Sequence, residues 1–148
     1  MELMSDFQYV GHSIAKMKLE FPVDTMPQKA ETINYLASWH AEYSENRWHG
    51  AVTIGFQQLD GASENPSVLF EIVVVGRFIS SGTDSEESRN EFVRFLKSSG
   101  AATLIPIARA AIISAGALCG FPGLCTIPNI NVYAMNWAED MAPEQVQE

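Results

Sequence analysis

Before residue 80 the chain alternates apolar and polar side chains with period two, the mark of strands with one buried face. From Phe7 to Phe21 the odd positions hold Phe7, Tyr9, Ala15, Met17, Leu19 and Phe21, with Gln8, His12, Lys16, Lys18 and Glu20 between them. A loop containing Pro22, Asp24, Pro27 and Gln28 ends this strand. A second strand places Ile33, Tyr35, Ala37, Trp39, Ala41 and Tyr43 on one face, and a third carries Trp48, Val52, Ile54 and Phe56. A two-residue turn at Glu45-Asn46 pairs Tyr43 with Trp48, Trp39 with Val52, Ala37 with Ile54 and Tyr35 with Phe56. Apolar then meets apolar throughout, and a one-residue slip would scramble the set. The fourth strand, Val68 to Phe78, presents Val68, Phe70, Ile72 and Val74 to the same face. These segments predict an α+β fold with a four-stranded antiparallel sheet under helices.

The period changes after the acidic loop SSGTDSEESRNE. Ser88 and Glu91 form a capping box, followed by a short helix with Phe92, Phe95 and Leu96 buried and Gly100 at its end. Residues 101–119 read as a long helix, apolar nearly all round, with Arg109 as its lone charge. A helix without a polar face needs cover on several sides. That predicts burial against other copies of the chain, with Ile105, Ala108, Arg109, Ile112 and Ile113 at the oligomer contact. Membrane insertion is the rival for this helix. Arg109 at mid-bilayer would cost about 2.5–3.5 kcal/mol, and the segment is rich in Ala and Gly rather than Leu, so insertion is not expected. Tyr133, Trp137 and Met141, spaced by four, predict one more short helix over 131–141. The chain thus reads as a single domain over 1–148: a sheet part over 1–79, a helical part over 88–141, and a flexible tail over 142–148.

Charge and chemistry narrow the function. With 18 acidic and 9 basic residues the net charge is −9, which argues against phosphate recognition and nucleic acid. The N-terminal MELMSDFQYV carries no basic leader before an apolar run, so a cytoplasmic location is expected. Cys119 and Cys125 flank a Gly-Phe-Pro-Gly turn without the further ligands that zinc needs, and read as free thiols or one disulfide. The predicted register sets His49 opposite Glu42 and away from His40, so no histidine pair forms a metal site. No nucleophile–base pair, phosphate loop or metal motif is present. Neither enzymatic activity nor a cofactor is expected.

LIPIAR at 104–109, FPGL at 121–124 and IPNINV at 127–132 resemble, in order and spacing, the SecB preprotein-export chaperones. Similarity extends through VLFEI at 68–72, FQ at 7–8 and LE at 19–20, covering about half the chain. The resemblance implies a Greek-key sheet, a long helix with shorter ones, and a homo-oligomer built as a dimer or a dimer of dimers. It also implies ATP-independent holding of unfolded polypeptides for delivery to the SecA motor. Burial at about 25 cal/mol per Å² holds such clients without a tight side-chain code. By resemblance Glu20, Leu69 and Glu71 match the SecA contacts, and Met26, Tyr35, Phe121 and Leu124 line the client groove. Lys16 departs from the family, which has an acid there. Two alternatives keep the fold class: an adaptor for one dedicated partner, such as an antitoxin, or a small-ligand carrier.

Overall fold

The computed structural model describes residues 6–21, 26–61 and 68–140. Four long strands, β1 (Gln8–Leu19), β2 (Lys29–Ser44), β3 (Arg47–Asp60) and β4 (Val68–Ser81), form the sheet with a short β5 (Ala138–Glu139). The spatial order is β1-β4-β3-β2-β5. β2, β3 and β4 form an antiparallel meander and β1 lies beside β4, the Greek-key arrangement. β5 runs parallel to β2 at Ser38 and Trp39. The sheet is therefore mixed and five-stranded, not the four antiparallel strands the pattern predicts. Two residues are too short a run for periodicity to reveal.

The β2–β3 hairpin has the predicted register, with Tyr43 opposite Trp48, Trp39 opposite Val52, Ala37 opposite Ile54, Tyr35 opposite Phe56 and Glu42 opposite His49. Its turn is made by Glu45 and Asn46 at φ 53° and 62°. Two successive left-handed residues give the hairpin turn whose twist matches the strands.

β1 differs from expectation. Its register shifts at Val10 and again at Ala15, and each bulge moves the following residues to the other face. Tyr9, Ile14, Met17 and Leu19 consequently oppose Phe78, Val74, Ile72 and Phe70 on the helix side. A single parity cannot describe this strand.

The helical layer is one run broken by a wide turn: α1 (Glu86–Phe95), a π-helical turn (Leu96–Gly100) and α2 (Ala101–Leu118). α1 starts one turn earlier than predicted, because the Ser85 hydroxyl caps it by accepting from the Ser88 N–H at 3.2 Å. The Ser88 hydroxyl instead receives the Trp48 indole N–H and the Thr83 N–H. Gly100 does not end the helix. It is buried and lets the run pass within 3.1 Å of Val52 Cγ2, measured to the position a Cβ would take. The helix expected over 131–141 is a single 3-10 turn, Val132–Ala134, followed by extended chain into β5. Met141 and the tail at 142–148 lie outside the described residues.

Two glycines of the sheet seat this layer. A Cβ on Gly76 would come within 2.6 Å of Leu104, and one on Gly50 within 2.8 Å of Phe92 and Leu96. Phe92, Leu96, Leu104, Ala108 and Ile112 are accordingly withdrawn from water over Val52, Ile54, Val74 and Phe78. Gly76→Ala should destabilise the chain by about 1–3 kcal/mol through overpacking. In a Leu104→Ala background, where the methyl finds space, that cost should nearly vanish; urea denaturation of the four proteins measures both, and equal costs would contradict the seating.

Candidate functional site

The sheet has two unlike faces. On the face away from the helices, register aligns Lys18, Glu71, Gln57 and Asn34 in one row and Lys16, Val73, Gly55 and Leu36 in the next. Side chains join across all four long strands. Lys16 Nζ lies 2.8 Å from Glu71 Oε1, Gln57 Nε2 donates to Glu71 Oε2 at 3.2 Å, and Asn34 Nδ2 donates to Gln57 Oε1 at 3.2 Å. The Lys16 ammonium, helped by the Gln57 amide, holds the Glu71 carboxyl below the ordinary Glu range against the opposing effect of desolvation.

The three residues matched to SecA contacts separate here. Glu20 is exposed, 3.7 Å from Lys18, while its N–H donates to the Leu69 carbonyl. Leu69 is fully buried, contrary to a shared surface with Glu71. The reason is a bulge: Gln58 pairs with Phe70 and Leu59 with Val68, so Leu69 is the extra residue and period two fails there. Glu71 is on the open face, where Lys16 pairs with it.

The helix side is only partly covered. α2 packs over β4 and β3, and Tyr9, Ile14 and Met17 on β1 remain 44%, 44% and 40% exposed. On α2, Ile105, Ala108 and Ile112 face the chain's own sheet and are buried, which places them in the subunit core rather than at an oligomer contact. A sheet beneath the helix supplies the cover that the sequence reading assigns to sister chains. The opposite flank, with Ala102, Pro106, Ala110, Ile113 and Leu118, faces water. The run Glu86–Leu118 is long and apolar enough to cross a membrane by length and composition, and 33% of its most apolar window is buried. Arg109 does not stand free: Nε donates to the Ile127 carbonyl at 2.9 Å and Nη2 to that of Pro128 at 2.8 Å. It ties the Pro-containing loop to the helix.

Of the expected groove residues, Phe121 packs against Phe21 with ring centroids 4.5 Å apart, and Leu124 packs on the core. Lys29 hydrogen-bonds Thr126, so the segment entering β2 meets the loop after α2. Met26 is 78% exposed and Tyr35 stands apart, its hydroxyl accepting from the Asn136 N–H at 2.9 Å. A cleft of about 680 Å³, which the sequence reading missed, lies between the helical run and the chain before β5. Val93, Phe95, Met135 and Trp137 line it with Arg94 and Lys97. The spacing of Tyr133 and Trp137 signalled an apolar surface, but a helical stripe was the wrong geometry for it. Cys119 is exposed and Cys125 buried, both free, and burial raises the Cys125 thiol pKa. Among the described residues no group of three His, Cys, Asp or Glu converges for a metal.

No protein-family model and no curated protein matches the chain in sequence. Among solved structures it is similar to the SecB-like chaperone Rv1957 of Mycobacterium tuberculosis, in complex with a ChAD peptide from the Rv1956 HigA1 antitoxin. The TM-score is 0.50 at 8% identity, over 84% of this chain and 91% of that one. The fold is SecB-like. Within this SecB-like fold Glu71 on the open sheet face is paired with Lys16, and the helix face carries uncovered apolar surface. Glu71 titration follows from that contrast. Its carboxyl should protonate below the ordinary Glu value, and Lys16→Ala should raise that pKa, as read by NMR. A depressed folded pKa contributes stability at neutral pH that is lost as pH falls through it. The stability difference between the wild type and Lys16→Ala should therefore close in acid, and a constant difference would count against the pair.

Proposed function

We propose that the chain is an ATP-independent chaperone that holds extended polypeptide segments, with one dedicated partner, such as an antitoxin, as its client. The uncovered apolar surface on the helix side of β1 carries this reading: Tyr9, Ile14 and Met17. Apolar area of this kind is favourable to bury against the apolar side chains of an extended polypeptide. The antitoxin peptide bound by the structural neighbour supports a polypeptide ligand. The described clefts are open to solvent, which favours an extended ligand over a small molecule.

A dedicated partner fits better than delivery to SecA. In the export family the docking face is acidic, whereas here Lys16 sits on Glu71 and Leu69 is withdrawn. The same reading includes a cytoplasmic homo-oligomer, with the exposed α2 flank as the contact, and no catalytic step.

Without nucleotide, the pure chain should suppress light scattering by a denatured client at near-stoichiometric ratio. Ile14→Asp combined with Met17→Asp should abolish that suppression while circular dichroism stays unchanged. Both side chains are exposed, so folding should tolerate the change. No protection at fourfold excess would reject holding, and SecA affinity within tenfold of an export chaperone's would reject the dedicated partner.

A further inference from the structure

β2 runs for 16 residues along the sheet edge, yet β5 pairs with it only at Ser38 and Trp39. β5 is also parallel, in a sheet whose other ladders are antiparallel. Its hold is polar throughout. The Asp140 N–H donates to the Trp39 carbonyl at 2.7 Å, and the Ser38 hydroxyl donates to Asp140 Oδ2 at 2.7 Å. Arg89 Nη2 donates to Glu139 Oε1 at 2.8 Å. Ala138, Glu139 and Asp140 are all exposed, and the nearest apolar anchors, Met135 and Trp137, precede the strand and pack on the core. Exposed ion pairs hold weakly, and a strand held this way opens more readily than the core.

The edge beneath is longer than its cover. In an antiparallel pair, alternate residues turn their N–H and C=O away from the partner strand. Trp39 turns its carbonyl to the edge, and the register is unbroken from Ile33 to Ser44. Ala37, Ala41 and Tyr43 therefore turn theirs the same way, at positions with which β5 does not pair. Beside this edge Arg94 and Lys97 line the 680 Å³ cleft with Trp137, and among the described residues neither forms a salt bridge with a carboxylate. Arg94 lies over the Phe95 ring and Lys97 over the Trp39 ring, and two cations held by aromatic faces rather than carboxylates, in a chain of net charge −9, mark a place where an anion is welcome.

We propose that the β2 edge is a strand-addition site for extended acidic polypeptide segments, and that Ala138–Asp140 is the chain's own stand-in, which must leave before a longer strand docks. The stand-in shows the chemistry of the site. Ser38 and Arg89 each meet one of two consecutive carboxylates, Glu139 and Asp140. An incoming strand with paired acids recovers both contacts, continues the backbone ladder beyond Trp39, and brings further acids towards Arg94 and Lys97. The inference rests on the polypeptide-holding reading and specifies the client's charge.

The test uses the full chain and a fluorescein-labelled peptide, Met-Asn-Trp-Ala-Glu-Asp, copying residues 135–140, read by fluorescence anisotropy. Glu139→Ala with Asp140→Ala unlatches the strap at exposed positions. A site that is open only a tenth of the time binds about tenfold more weakly, so the unlatched chain should bind the peptide about tenfold tighter than the wild type. Replacing the peptide's Glu and Asp by Gln and Asn should remove about tenfold of that affinity, as should Arg89→Ala in the unlatched chain. Equal binding by wild-type and unlatched chains, or by acidic and amide peptides, overturns the proposal. Should the unlatched chain melt early, hydrogen exchange on the wild type decides. The Asp140 amide should exchange at least a hundredfold faster than the β2–β3 amides, and equal protection overturns the strap. Clients held normally beside flat peptide results overturn this site alone. Clients not held beside tight acidic-peptide binding overturn the holding function and support the site.

Discussion

Everything else in this fold depends on how closely an almost wholly apolar helical run can approach the sheet. Gly50 and Gly76 leave room for Phe92, Leu96 and Leu104, which descend until only side-chain tips separate the layers. Close contact matters because dispersion falls steeply with a gap of less than an ångström. The seat also dictates what stays uncovered. With α2 over β4 and β3, the helix-side row of β1 extends past the layer, and the far flank of α2 faces water. One contact thus produces both the core and the exposed apolar surface.

The opposite sheet face follows a different logic. There the Lys16–Glu71–Gln57–Asn34 chain satisfies its own charges and amides across β1, β4, β3 and β2. A face whose charges are paired internally has less to offer an incoming charged partner, since docking would have to compete with contacts already made. The two sides of one sheet are therefore differently equipped: one sets this polar network beside an exposed Leu36, the other is apolar and incompletely covered. β5 adds a third surface at the β2 edge, held by carboxylates rather than by burial.

Much of this was legible in the order of residues. The β2–β3 register could be read pair by pair because both strands keep strict alternation, and a slip would expose Trp39, Ala37 and Tyr35 together. The long helix could be read because 101–118 has no polar stripe to confuse its period. The faces of β1 and Leu69 could not be read. Bulges at Ala15 and Leu69 insert a residue without any Gly or Pro to announce it, that at Val10 is marked only by Gly11, and each reverses the parity on which the reading depends. The cleft at Arg94, Lys97 and Trp137 was missed for a related reason: two segments distant in sequence make it, and its apolar residues were assigned to a helix that does not form.

Sequence alone determined which segments alternate, where the hairpin turns, and that one helix is too apolar to stand by itself, because these follow from spacing along a single strand or helix. Only the tertiary structure decided which side of that helix its own sheet shelters, whether Leu69 reaches the surface, and that a two-residue strand closes the β2 edge. Those outcomes depend on distances between segments far apart in the chain, and local periodicity carries no information about such distances.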